Sequence, residues 1–239
     1  MRKDWKDWAR YAGSGSLVKK WTLVDKTLTP DGKTISLHEH DGSYTIRVDN
    51  AELMSTRQHA SEERLAELAC AHLRGIRRAH VLIGGLGFGF TLKAALRAIA
   101  ADATVVVAEI LAAVIDWNRN PAYPFAADAL ADPRVIVRQQ DVVDAIGASR
   151  AAYDAIALDV DNGPNALSTD GNFQLYDYRG LQLARTALRP GGCLALWSAA
   201  PDPIFERLMA GARFTVVVER CRSHGNSGRW HTVFLGRVQ

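Results

Sequence analysis

"HVLIGGLGFGFTLKAAL", residues His80 to Leu96, is the stretch that decides the fold. An apolar run stops at a cluster of glycines, and a helical pattern follows at once. A strand that turns through glycines into a helix gathers backbone N–H groups and a helix N-terminus at one spot, where a ligand can approach. Gly85, Gly87 and Gly89 carry no Cβ atoms to hold such a ligand off the backbone. Their spacing is G-x-G-x-G, not the G-x-G-x-x-G of nicotinamide dinucleotide sites. Alone, the loop marks no more than a tight turn. Leu86, between the first two glycines, is apolar where a polar ligand would be met.

Downstream, strands and helices alternate. Strands are expected at residues 79–83, 104–108, 135–138, 155–158 and 193–197, with helices over 91–101, 112–118 and 174–188. These strand candidates are apolar almost throughout, as parallel strands covered on both faces are. The end of the chain changes character: "FTVVVERCRS", the turn "HGNSGR" and "WHTVFLGRV" read as an antiparallel hairpin. The expected core is thus a doubly wound, Rossmann-like α/β sheet, mostly parallel, with a reversed strand at its edge.

Upstream, Trp21 to about Met54 alternates in short runs broken by Pro30-Asp31-Gly32 and Asp41-Gly42, the pattern of a small antiparallel β-sheet. "SEERLAELACAHLRGI" then reads as a helix with Ser61 as its N-cap and Glu62 and Glu63 in the first turn. The domain reading is residues 1–58 for an N-terminal arm and small β-sheet domain and 59–239 for the core domain.

Composition narrows the function. Of 239 residues 48% are hydrophobic, enough for a sizeable core, and a net charge of +3 does not point to nucleic acid. The first residues do mix Arg2, Lys3, Lys6 and Arg10 with Trp5, Trp8 and Tyr11. A packed or dimer-forming arm is the plainer reading, and a homodimer is the expected assembly. Cys70, Cys193 and Cys221 are odd in number and far apart, which fits neither a disulfide framework nor a zinc site. The seven histidines lack metal-ligand spacing; His38 and His40 alternate on a strand as surface residues. No metal is expected. The leading residues are too charged for a signal peptide and no apolar run is long enough to span a bilayer, so the expected location is cytoplasmic, without membrane attachment.

Two acids raise the glycine loop above a mere turn. Glu109 ends the second core strand, where a carboxylate can accept hydrogen bonds from ribose hydroxyls. Asp141, in "RQQDVVDAI", ends the third and can take an adenine amino group. "LRPGG", residues 188–192, precedes the fifth. Each acid alone reads as a loop residue or helix cap; together, in this order at C-terminal strand ends, they describe an adenosine site.

The set "IGGLGFGFTLKAAL", "VVVAEI", "QQDVVDA", "YDAIALDVDNGP" and "LRPGGCLALWS" resembles class I S-adenosylmethionine-dependent transferases, and more narrowly the spermidine synthase (polyamine aminopropyltransferase) family, from about Thr34 onward. The resemblance implies an adenosyl site made by Gly85, Leu86, Gly87, Gly89, Glu109, Asp141 and Asp159. Three departures bear on the transferred group. Leu86 stands where the family has an aspartate that holds the amine tail of decarboxylated S-adenosylmethionine. "LDVDNGP" is one residue shorter than the family's Asp-Ser-Ser-Asp segment, so that Asp159 matches the first aspartate and Asp161 only approximately the second. "SEERL", with Glu62 and Glu63, replaces a Tyr-Gln or Tyr-His pair.

Both donors present a sulfonium carbon for in-line attack, so the protein must orient a nucleophile and take its proton. Asp159, at a strand end, is the candidate base; Asp161, Glu62 and Glu63 are candidate substrate ligands. An apolar Leu86 no longer disfavours the carboxylate of S-adenosylmethionine, so methyl transfer to a small-molecule acceptor leads. Aminopropyl transfer from the decarboxylated donor to an amine is the alternative, and a noncatalytic adenosyl-binding protein a further one. The acceptor pocket is expected between the leading sheet, the Ser61 helix and "DVDNGPNALSTDGNF".

Overall fold

The structure, a computed structural model, describes residues 20–29, 31–160, 173–225 and 227–239. The basic and aromatic residues at 2–11, Pro30, and Asp161 with the segment that follows it lie outside the described residues.

The leading strands form a four-stranded antiparallel meander: β1 (Thr22–Leu28), β2 (Thr34–His40), β3 (Ser43–Val48) and β4 (Ala51–Ser55), in that order. Tight turns set the register. Asp41 and Gly42 both adopt positive φ between β2 and β3, and His40 pairs with Ser43 across them. Ile35, Leu37 and Ile46 point to one face and are fully buried there, which fixes the meander against the core. His40 stacks on Trp21 with ring centroids 4.7 Å apart.

The second sheet has seven strands in the order β10-β11-β9-β8-β5-β6-β7. β5 (His80–Gly84), β6 (Thr104–Glu109), β7 (Val135–Gln139), β8 (Tyr153–Leu158) and β9 (Leu188–Ser198) run parallel. β10 (Thr215–His224) and β11 (Ser227–Arg237) form the hairpin. The reversed strand is β11, which lies one place in from the edge, antiparallel to both β9 and β10. The central strands β5, β6 and β8 are buried on both faces, whereas Ile136 on the edge strand β7 is 45% exposed. Apolar composition alone therefore did not mean two-sided burial. Strand order reverses at β5, whose neighbours are β6 and β8, and the crevice at their C-terminal ends is where such sheets take ligands.

Helices cover both faces. On one side lie α1 (Ala60–Cys70) and α2 (Phe90–Ala98), followed in the chain by α3 (Ala112–Arg119) and α4 (Ala127–Leu130). On the other are α5 (Val142–Gly147), α6 (Phe173–Tyr176), α7 (Tyr178–Ala187) and α8 (Pro203–Gly211). Four local expectations are corrected. Ser61 is not the cap of α1: the helix begins at Ala60, after His59 and two residues earlier than expected, and Ser61 is fully buried inside its first turn. The expected helix over 174–188 is two, because the Asp177 side chain accepts the Gly180 N–H at 2.7 Å and starts α7 afresh. "LRPGG" does not precede the fifth strand but forms a bulge within β9, with Gly191 at φ 77°. Asp141 stands two residues beyond β7, not at its end. It caps α5 by accepting the Val143 N–H at 2.8 Å.

Candidate functional site

The glycine loop joins β5 to α2 at the switch point. Gly85, Gly87 and Gly89 all have positive φ, a region costly for other residues. A side chain on Gly85 would also run into the carbonyl oxygen of Asp159. That contact reflects how closely β8 follows the loop: the Asp159 N–H donates to the Gly84 carbonyl at 2.9 Å. Gly87 lies under Met54 of β4, whose sulfur sits 2.7 Å from where a Cβ would be. The leading sheet thus touches the loop directly.

Glu109 is buried at the end of β6. Its Oε2 accepts the Leu86 N–H and its Oε1 the Leu111 N–H, both at 2.8 Å, while burial pushes its pKa up. Gln140, the residue after the neighbouring strand β7, donates its backbone N–H to the Glu109 carbonyl at 3.1 Å, and its Nε2 is buried without a hydrogen-bond partner among the described residues. A buried donor without a partner is one that a ligand bearing an acceptor atom would satisfy. The Leu86 side chain is 4% exposed and packs into the core on the α1 and α2 side.

A cavity of about 530 Å³ opens beside the loop. Glu52, Met54 and Ser55 of β4 line one wall, Glu62 of α1 and Asp159 after β8 the floor, and Trp197, Trp230 and His231 the far wall. Asp159 and Glu62 meet here although 97 residues separate them in the chain (159 − 62). Thr91 of α2 ties them together, donating to Asp159 Oδ2 at 2.8 Å and lying 3.4 Å from the Glu62 carbonyl. Burial raises the Asp159 pKa to about 6. It raises Glu62 to about 8, with the nearby Asp159 charge adding to the effect. Two carboxyls in one poorly hydrated floor share a proton near neutral pH, and a cation entering the cavity would let both ionise.

Glu63, one residue on, faces away. It pairs with Arg97 at 3.3 Å and lies 3.8 Å from His59. The hairpin completes the cavity: His231 Nδ1 lies 2.8 Å from Ser61 Oγ, and Ser61 Oγ donates to Glu62 Oε2 at 2.7 Å. Trp197 meets the His231 ring edge-on with centroids 4.7 Å apart, and its Nε1 is buried without a partner among the described residues. Trp197, Trp230, His231, Ser61 and Thr91 were not singled out as site residues from the sequence. The one available signal was position, since "WHTVFLGRV" is the strand laid beside β9 and its polar start reaches the C-terminal strand ends.

Among the described residues no three His, Cys, Asp or Glu side chains cluster as metal ligands, and no helix is long and apolar enough to cross a membrane.

No family model matches the chain, and no curated protein is significantly similar to it in sequence. Solved structures are similar. A spermidine synthase in complex with the transition-state analogue AdoDATO superposes with a TM-score of 0.70 at 16% identity, over 91% of this chain and 72% of that one. The spermidine synthase from Thermotoga maritima gives 0.70 at 18% identity, over 90% and 72%. A probable spermidine synthase from Corynebacterium glutamicum ATCC 13032 gives 0.62 at 16%, over 90% and 79%. The leading meander, the seven-stranded sheet and the closing hairpin together give this chain the spermidine synthase-like fold.

Proposed function

We propose that the protein is an adenosyl-dependent transferase that moves an aminopropyl group from decarboxylated S-adenosylmethionine to an amine. The observation that carries this is the cavity floor. Glu62 and Asp159, with Glu52 in the wall and Trp197 opposite, put three carboxyls around a cavity beside the glycine loop, which suits an alkylammonium acceptor even though Arg229 also lines it and Trp230 is already stacked by Arg220 and Arg222. The neighbours support it in kind, one of them having been solved with a transition-state analogue.

The residues at the loop fit an adenosyl group: Glu109 and Gln140 would hold it, the buried Gln140 Nε2 finding its missing acceptor there. When bound, the donor supplies a sulfonium-activated carbon. The chain's own residues do the rest. Glu62 and Asp159 hold the amine by charge, Thr91 fixes the Asp159 carboxylate, and Asp159 takes the proton the amine must lose before it can attack. A carboxyl with its pKa near 6 is ionised at neutral pH and is a better base than an exposed aspartate.

Methyl transfer from S-adenosylmethionine is the second reading. The loop favours it in that it offers no carboxylate to the donor's ammonium, although the Leu86 side chain itself is packed into the core and not turned to the cavity. The test is mass spectrometry of products from a panel of diamines and polyamines with each donor. A mass gain of one aminopropyl group is expected with the decarboxylated donor. Methylated product instead would replace the proposal with the second reading. Saturable adenosyl binding without turnover on any acceptor would favour a noncatalytic protein.

A further inference from the structure

Ser61 is a polar side chain with no contact to water, yet it is one residue from a cavity carboxyl and bonded to a histidine 170 residues away. A hydroxyl has one hydrogen, so its two bonds are directional. When Glu62 is ionised, Ser61 donates to Glu62 Oε2 and must accept from His231, which therefore carries its hydrogen on Nδ1. When Glu62 is protonated, the carboxyl donates to Ser61 Oγ, Ser61 donates to His231 Nδ1, and the imidazole hydrogen moves to Nε2. His231 Nε2 is not among the buried atoms that lack a partner, no protein group bonds it among the described residues, and the ring lines the cavity. It is the end of the chain that water reaches.

We propose that Glu62, Ser61 and His231 form a proton relay, in which the state of the Glu62 carboxyl sets the tautomer of His231 and a proton held on the cavity floor leaves through His231 Nε2. This rests on the reading of the cavity as an amine-alkylating site, where each turnover leaves one proton on the carboxyl pair. The step balances. Glu62 gives its proton to Ser61 Oγ as Ser61 gives its own to His231 Nδ1, and the Nε2 proton passes to a water in the cavity. Glu62 returns to carboxylate, Ser61 is unchanged, and His231 is neutral before and after.

The surroundings agree. Glu62, raised to about 8, is the member of the pair that holds the proton at neutral pH. Burial, with Arg229 nearby, lowers the His231 pKa, so the ring is neutral at pH 7 and both tautomers are available. The titratable and charged groups around Glu62 are Asp159 after β8, Glu63 on its own helix, Glu52 and Arg229 across the cavity, and Cys221 on β10 with Glu219 and Arg64 beside it. Glu63 is occupied by Arg97, and Glu219 by Arg64, which also holds Glu67 on α1. The Cys221 thiol is pushed up to about 11 and stays neutral through the relevant range.

The relay is tested on the ligand-free full chain, apart from any activity. Nitrogen NMR of histidine-labelled protein distinguishes the two tautomers of His231 as pH is raised from 6 to 10. The expected result is Nε2–H at low pH, crossing to Nδ1–H with a midpoint near 8. In Glu62→Gln the crossover should vanish, because no carboxyl titrates. In Ser61→Ala the His231 tautomer should no longer follow Glu62. A His231 tautomer that stays fixed from pH 6 to 10 in the wild type would overturn the relay, as would a crossover that survives in either variant. If Glu62→Gln does not fold, Ser61→Ala and Asp159→Asn decide. Asp159→Asn removes the neighbouring negative charge and should move the midpoint down, and an unmoved midpoint counts against Glu62 as the group that titrates. A wild type that shows the crossover but alkylates no amine would refute the function and keep the relay.

Discussion

Replacing Asp159 by asparagine removes a charge that the fold holds at a cost, and that cost can be measured without a substrate. Its pKa is raised from 3.8 to about 6, and each unit of such a difference is worth about 1.4 kcal/mol. Above pH 6 the ionised form therefore costs the native state about 3 kcal/mol, and burial is the main cause. The sign follows from proton counting. A carboxyl whose folded pKa exceeds its unfolded value binds more protons when folded, so stability falls as pH rises from about 4 through 6 and is level beyond. Asparagine keeps an oxygen that can accept from Thr91 and carries no charge. At pH 8.5, Asp159→Asn should be more stable by about 1.5–3 kcal/mol, with the midpoint of thermal unfolding higher by several degrees for a chain of this size. At pH 4 the two proteins should coincide. Urea denaturation at pH 4, 6 and 8.5 gives both numbers. An asparagine variant less stable than the wild type at pH 8.5, or a difference that does not change with pH, would refute the reasoning that burial of the floor raises these pKa values. In the same variant, turnover should fall by ~10²–10⁴ while adenosyl affinity changes far less.

Glu109→Ala should abolish measurable adenosyl binding in calorimetry. It should also destabilise the ligand-free protein by about 2–5 kcal/mol, because the Leu86 and Leu111 N–H groups both lose their acceptor. Undiminished ligand affinity in that variant would remove Glu109 from the donor site. Gly85→Ala and Gly87→Ala should differ sharply in denaturation experiments. Both force alanine into positive φ, but at Gly85 the new methyl meets the fixed Asp159 carbonyl, whereas at Gly87 it meets the flexible end of Met54. Equal losses would mean that backbone strain alone decides. Gln140→Leu, which removes the unpaired buried Nε2, should leave ligand-free stability unchanged or improved and weaken adenosyl binding by about tenfold; unchanged binding would detach Gln140 from the site.

What the sequence made legible was set by local rules. The strand, glycine loop and helix around Gly85, the apolar strands and the hairpin each obey a period or a turn preference that needs no knowledge of distant residues. Glu109 was legible because it ends a strand at the one sheet edge where ligands bind. Glu62 was visible as an acid in a first turn, but its meeting with Asp159 depends on how α1 packs over β8, which no local pattern encodes. Ser61 was misread for the same reason. A serine before acids in a helical run is a cap by local preference, and only the arrival of His231 from β11 makes its burial inside the helix tolerable. The break at Asp177 was missed because "YDYRGLQLARTAL" keeps its apolar spacing across the cap.

The position of β11 has a consequence for how the chain reaches its final form. β10 precedes β11 in the chain, yet β11 pairs with β9 on one side and with β10 on the other. Until β11 exists, the edge of β9, with the buried Cys193, Leu194 and Leu196, has no neighbour on that side, and β10 has nothing in the sheet to bind. During synthesis, then, a chain that has emerged only as far as β10 carries an open, apolar strand edge of the kind that pairs with other chains. The same strand that closes this edge brings His231 to Ser61. Protection from aggregation and completion of the cavity are therefore one event, and a chain caught before it would be both sticky and inert.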